Sequence, residues 1–238
     1  MIQIYKNLLK ELKSSEYSLD KDTINNHCVD WRGKYKGSSE IIFFPKSVSS
    51  IIKIIKFCHK RDIPIVPQGG NTSLVGGSVP RLNKGEIIIN LCKLNKIREI
   101  DTVSNTVTVE SGCILQSIND QLEGYNLQMP ISLGSKGSCQ IGGNIATNAG
   151  GLNVIKFGSI RSNILGIEAI LPNGELYNDL KTVKKNNTGL DLKQLLIGSE
   201  GILGIITAAT FQIHKKSNDR VVIVISLKKF AQVLTAYQ

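Results

Sequence analysis

A chain of 238 residues, 41% hydrophobic and 20% charged, is long enough to bury one large core or two small ones and too apolar to be disordered. Aromatic residues make up only 5%, so an aliphatic core is expected, and 29 basic against 19 acidic side chains leave a net charge of +10 that favours anionic ligands without naming one. Scarce aromatics and scattered lysines argue against a nucleic-acid-binding protein. The five cysteines (Cys28, Cys58, Cys92, Cys113, Cys139) are odd in number and form no C-x-x-C pair, which speaks against a disulfide framework or a zinc site and fits a reducing interior. No apolar run approaches the ~18 residues that cross a bilayer. The opening MIQIYKNLLKELKSSEY lacks the apolar block of a secretion signal, and Glu11 and Glu16 are unlike a transit peptide. A cytoplasmic location is expected.

In chain order, the opening segment predicts a short amphipathic helix, and Asp30 to Glu40 a loop. Ile41 to Pro45 reads as a short strand, and Ser47 to Arg61 as a helix capped by Ser47, with Val48, Ile51, Ile52, Ile54, Ile55 and Cys58 at helical spacing. Ile63 to Pro67 and Glu86 to Cys92 are buried strands separated by a glycine-rich loop. Thr102 to Gly112 alternates around Ser104-Asn105 as a hairpin would, and Ile114 to Tyr125 predicts a helix ending at Gly124. After a long small-residue stretch, Ile131 to Gly151, a second hairpin turns at Pro172-Asn173-Gly174. A short helix, a glycine-rich turn and a strand fill Asp191 to His214, with Asp191 expected to cap the helix. Val221 to Leu227 reads as an apolar strand, followed by the start of a helix. This interleaving predicts an α+β fold. The expected segments are an N-terminal helix and loop (1–39), two subdomains (40–100 and 101–217) and a C-terminal piece (218–238).

Three segments carry chemistry. PQGGNTSLVGG, Pro67 to Gly77, leaves a buried strand, and successive amides in such a turn form a nest for phosphate oxygens. On its own it fits a plain surface turn equally well. It is no Walker loop, because no Gly-Lys-Ser/Thr follows. LGSKGSCQIGGNIATNAGG, Leu133 to Gly151, carries no acid, and its density of small polar donors favours a ligand-lining stretch over a hinge. It lacks the dinucleotide G-x-G-x-x-G context and its ribose acid. NTGLDLKQLLIGSEGILGIIT, Asn187 to Thr207, makes a tight turn around Glu200, whose carboxylate fits a ligand hydroxyl or a turn-stabilising role equally.

In this order and spacing the three segments, with DWRGKYKG near the start, resemble the FAD-linked 2-hydroxyacid dehydrogenases of the PCMH or vanillyl-alcohol-oxidase type, nearest to the D-2-hydroxyglutarate and D-lactate dehydrogenase group. The resemblance implies two α/β subdomains with FAD between them. Pro67, Gln68, Gly69, Gly70, Asn71, Thr72 and Ser73 would cradle the pyrophosphate. Ser138, Gly142, Gly143, Asn144 and Thr147 would line the ribityl chain and flavin ring, and Glu200, Gly201, Ile205 and Ile206 would close the other side. Some relatives tether FAD through a histidine after the paired glycines; Asn71 stands there, so noncovalent FAD is expected.

The resemblance also implies hydride transfer from a D-2-hydroxy acid (2-hydroxyglutarate, lactate or glycolate) to flavin N5, with the base, metal ligands and substrate-binding arginine on a C-terminal cap domain that this chain does not include. The histidines His27, His59 and His214 have no ligand-like or triad-like neighbours in sequence, so no catalytic or metal-binding residue is assigned. The piece 218–238 is expected to be a stump of the cap. The electron acceptor stays open between quinone, electron-transfer flavoprotein and cytochrome, with oxygen not excluded. The alternative is a non-catalytic FAD-binding module, or a partner-dependent subunit of a glycolate or lactate oxidase-type complex.

Overall fold

The protein is described by a computed structural model covering residues 2–217 and 221–237. Helix α1 (Lys6–Glu11) lies between two short 3-10 turns and leads to β1 (Tyr17–Ser18), α2 (Lys21–His27), β2 (Ile42–Phe43), α3 (Val48–His59), β3 (Ile65–Gln68) and β4 (Ile87–Asn90). These strands form a sheet in the order β1-β2-β4-β3, with β2, β4 and β3 parallel and β1 antiparallel. Parallel strands buried on both faces read as unbroken apolar runs, which is why Ile41–Phe43 and Ile87–Ile89 show no alternation. Phe43, Ile87 and Ile89 pack under Ile51, Ile54 and Cys58 of α3, while Ile42 and Ile88 face Ile24 and Cys28 on the other side. Ser47 caps α3 through Ser50 N, as its position predicts.

Glu16 ties the N-terminal turn to the start of α3. Its buried carboxylate accepts from Lys46 N at 2.9 Å and Lys13 N at 3.1 Å. Burial works against the charge, but these bonds and one from Ser50 outweigh it and hold the carboxyl below its ordinary value of 4.5. A depressed folded-state pKa contributes stability above the unfolded value and loses it as pH falls through the folded one. Glu16→Gln is therefore expected to cost about 1–2 kcal/mol at neutral pH. Urea titrations should show that deficit shrinking below pH 4.5.

The second half continues with β5 (Ile97–Asp101), β6 (Thr106–Glu110), α4 (Leu115–Glu123), β7 (Leu127–Gln128), α5 (Ile141–Ala146), α6 (Val154–Phe157), α7 (Ile160–Asn163), β8 (Ile164–Ile170) and β9 (Leu176–Asp179). It ends with α8 (Lys193–Leu196), β10 (Ile205–Gln212), β11 (His214–Lys215) and α9 (Gln232–Tyr237). An antiparallel sheet, β5-β6-β10-β8-β9, buries Val107, Val109, Ile167, Ala209 and Phe211 against Leu115, Ile118 and Leu122 of α4 and Ile141 and Ile145 of α5. Its opposite face is polar: Thr108 and Thr210 are buried and share a 3.0 Å hydroxyl contact, and a partly exposed Arg98 bridges the buried Glu110 and Glu168. Strand β10 joins the two halves, since Ile205 belongs to the first core and Ile206 to the second.

Three expectations are corrected. The first hairpin lies earlier than Thr102: Asp101 Oδ1 accepts from Val103 N at 2.8 Å and Ser104 N at 3.0 Å, so residues 102–105 form the turn and the strand precedes it. Asp191 does not cap the backbone of α8; its carboxylate binds Lys193 Nζ and Gln194 Nε2. Val221–Leu227 is not a strand, because among the described residues nothing pairs with it, and Val221–Ile225 are 59–92% exposed. A helix does follow, at Gln232–Tyr237. Residues 218–220 of the expected C-terminal piece lie outside the described residues.

Candidate cofactor site

The loop after β3 is shaped by two side chains. Gln68, fully buried at the strand end, donates through Nε2 to His27 O at 2.9 Å and Ser78 O at 2.8 Å, which draws the two ends of the loop together. Its Oε1 accepts from Asn90 Nδ2 at 3.0 Å and lies 2.6 Å from His27 Nδ1. Asn71 takes a left-handed backbone (φ 52°); its Nδ2 donates to Val29 O at 2.8 Å and its Oδ1 accepts from Ser78 Oγ at 2.7 Å. With both side chains used for bracing, the amides of Gly70 through Leu74 find no acceptor among the described residues. A run of successive free N–H groups on a glycine loop is a candidate anion site.

The opposing wall is the small-residue stretch, whose centre is α5. Helix α5 forms despite Gly142 and Gly143 because tertiary contacts hold it: Gly142 N donates to Ser111 O at 2.7 Å, and a Cβ at Gly142 would come 2.6 Å from Ser111 Cβ. The walls meet where Gly70 packs on the Ser138 carbonyl and Gly69 on the Gln140 side chain. Thr147 Oγ1 donates to Gly143 O at 3.0 Å, and Asn144 Nδ2 lies 3.4 Å from Cys139 Sγ. The third segment closes the end: Glu200, also left-handed (φ 53°), donates its N–H to Ala146 O at 2.8 Å, and its carboxylate faces Gly77 across the opening.

The result is one cleft of about 440 Å³, with Pro67 and Gly69–Ser73 on one wall, Gly143, Asn144 and Thr147 on the other, and Glu200 at its end. A second cavity of about 330 Å³ lies behind Pro67 and holds Gly201 and Ile205 in its lining, with Ile63, His59 and Pro172. Pro67 lines both. Four of the expected site residues line neither: Gln68 lies beneath its loop, Ser138 is an exposed residue whose carbonyl backs Gly70, Gly142 packs on Ser111, and Ile206 is in the second core. The structure adds Leu74, Ser78, Leu133, Ser135 and Gln140 to the lining. Of these only Gln140 carried a sequence signal, as the one long polar side chain beside the paired glycines.

Glu200 is the sole ionisable side chain among the cleft-lining residues. Such a cleft can bind and orient; it has little means of moving protons. Among the described residues no three His, Cys, Asp or Glu side chains cluster as metal ligands. His27 braces Gln68, and His214 stacks on Phe157 with Nε2 3.0 Å from Asn163 Oδ1. Burial, then the nearby Lys184 and Lys156, push the His214 pKa down.

Fold and cleft therefore define a nucleotide-cofactor-binding domain: free amides suit a diphosphate, and glycines let main chain approach closely. The sequence profile of the FAD binding domain matches residues 39–179, and the chain belongs to that family. It is 42% identical over 219 residues to the mitochondrial D-2-hydroxyglutarate dehydrogenase of Danio rerio, covering 92% of this chain and 41% of that protein. It is 40% identical over 240 residues to a Schizosaccharomyces pombe protein named as a mitochondrial D-lactate dehydrogenase, covering 99% of this chain and 45% of that one. Among solved structures, alkyldihydroxyacetonephosphate synthase superposes with a TM-score of 0.80 at 24% identity, over 90% of this chain and 40% of that one. The fold is thus the expected α+β, PCMH-type FAD-binding fold, and FAD is the cofactor it takes. The chain spans less than half the length of the curated relatives it matches.

The expectation of a cytoplasmic location is overturned by these relatives, both named as mitochondrial. Free thiols are compatible with the cytosol and the mitochondrial matrix alike, so cysteine usage could not separate the two. Among the described residues no helix is long and apolar enough to cross a membrane.

Proposed function

We propose that this chain is the cofactor domain of a D-2-hydroxy acid dehydrogenase acting on 2-hydroxyglutarate, lactate or glycolate. Bound FAD supplies the hydride acceptor, at flavin N5. The amides of Gly70 to Leu74 hold the diphosphate, with the Thr72 and Ser73 hydroxyls beside them. Gly143, Asn144 and Thr147 line the ribityl and flavin end. Glu200, at the end of the cleft, closes its other side, while Gly201 and Ile205 line the cavity behind Pro67. Segments 40–100 and 101–217 are the two halves of this grip. The single observation that carries the reading is the run of unpaired amides held open by Gln68 and Asn71.

With Glu200 as the one ionisable side chain in the cleft lining, substrate oxidation on this reading needs further groups from a cap domain, for which the exposed apolar run Val221–Ile225 is the attachment. The electron acceptor is a quinone, an electron-transfer flavoprotein or a cytochrome, and the relatives' names support a mitochondrial workplace. A second reading, favoured by the same scarcity of ionisable groups, is a non-catalytic flavin-binding module, or a subunit that turns over only within a partner-dependent complex. The test is anaerobic titration of the FAD-loaded chain with D-2-hydroxyglutarate or D-lactate. The expected result is a yellow protein whose visible band is bleached by neither acid. Rapid bleaching by the isolated chain would refute the need for a cap, and a folded chain that stays colourless in saturating FAD would refute the proposal.

A further inference from the structure

Arg161, the second residue of α7, grips the turn that closes the cleft. Its Nη1 donates to Gln194 O at 2.7 Å and to Gln194 Oε1 at 2.9 Å, and its Nη2 donates to Ile197 O. Among the described residues no other donor meets those two carbonyls. Its own amide donates to Asn148 Oδ1 at 3.2 Å, so the same residue also fastens the end of the small-residue wall. The turn needs such a fastening. Helix α8 has only four residues, too few to hold itself. Beyond it Gly198 (φ 81°), Glu200 (φ 53°) and Gly201 (φ 84°) are all left-handed, a state that is unfavourable for a glutamate on its own.

Two main-chain bonds hold the amide edge of this turn, Gly198 N to Ile145 O at 3.1 Å and Glu200 N to Ala146 O at 2.8 Å. The guanidinium holds its carbonyl edge, and a Cβ at Gly198 would stand only 3.2 Å from Nη2. Glu200 is thereby placed in the cleft lining and Gly201 in that of the second cavity, while Arg161 lines neither. We infer that Arg161 is a positioning residue for the cofactor, acting through the turn that carries Glu200 and Gly201. A planar fork suits the task, because three acceptors on two residues must be met at once, which a single ammonium nitrogen does poorly. The inference rests on the FAD reading of the cleft and adds to it the side chain that sets its closing wall.

Two variants test it: Arg161→Met keeps the stem and removes the fork, and Arg161→Lys keeps the charge on one nitrogen. FAD affinity is measured by isothermal titration of cofactor-free protein, at a temperature where ligand-free melting curves show each variant folded. Hydrogen exchange of the cofactor-free chains is followed peptide by peptide. The methionine variant is expected to bind FAD about tenfold more weakly, and the lysine variant at least about threefold more weakly. Exchange should quicken across residues 194–204 and stay at the wild-type rate in α3 and β6. If the methionine variant does not fold, the lysine variant decides. Unchanged FAD affinity in a folded variant would overturn the inference. So would full recovery with lysine, which would mean that charge alone matters, or an equal quickening in α3 and β6, which would mean a general loosening. Wild-type protein that binds no FAD would instead overturn the flavin reading, whatever the exchange pattern shows of the turn.

Discussion

Gly70→Ala is expected to yield a protein purified without flavin. A Cβ at Gly70 would stand 2.0 Å from the Ser138 carbonyl oxygen, 3.0 Å from its carbon and 3.3 Å from Cys139 Cα. All three are main-chain atoms on the opposite wall, so no rotamer change relieves the clash and the two loops must separate. Overpacking of this kind costs about 3 kcal/mol. If that falls on the bound geometry, affinity drops by roughly two decades. The bulk acts through Ser138, by prising apart the walls that form the cleft, so even one methyl group suffices without touching the phosphates. Gly137→Ala is the control, since a Cβ there meets nothing within 4 Å. The measurement is bound flavin per chain, with FAD dissociation constants for both variants. An alanine variant at position 70 that keeps its colour would show that the loops do not need their close approach.

The largest loss of stability is expected from Arg98→Met. The Arg98 guanidinium grips Glu168 through two nitrogens, at 3.0 and 3.1 Å, and reaches Glu110 at 3.3 Å. Glu168 also accepts from Thr207 Oγ1 at 2.8 Å, and Glu110 from Lys96 N at 3.0 Å. Burial opposes the guanidinium charge, but the two carboxylates more than compensate and push its pKa up. Removing the arginine leaves two buried carboxylates without their shared cation; with the guanidinium partly open to solvent, the loss of these charged hydrogen bonds costs about 2–3 kcal/mol. Thermal unfolding should show the loss, and adding Glu168→Gln to the variant should restore part of it, because the residues are coupled. Failure of the double variant to recover would mean that the arginine acts through packing alone. The network pins β5, β6, β8 and β10 together, and Thr207 lies two residues after Ile205 in the wall of the second cavity.

Much of this molecule was legible in its residues, and the exceptions share a cause. Helix α3 could be read because Ile51, Ile54, Ile55 and Cys58 repeat at helical spacing behind a serine cap, a local signal. Helix α5 could not, since Gly142 and Gly143 oppose a helix and contacts distant in sequence, to Ser111, Cys113 and the second core, hold it. The cleft was legible as three segments but not side chain by side chain. Gln68 and Asn71 look like ligand donors in a glycine loop, yet both turn inward to brace it; which way a polar group points depends on Ser78, Asn90 and His27. Gln140, conversely, gives little local sign of its buried, unpaired oxygen.

Strand β10 sends Ile205 into one core and Ile206 into the other, and the cleft lies where the two halves meet. Anything lodged there acts as a rivet through two plates, and neither plate can come loose while it stays. Resistance to unfolding then rises with the logarithm of free FAD. In a cell short of riboflavin the unriveted chain would open more often and fall to proteases, so vitamin supply would set how much of this protein a cell keeps.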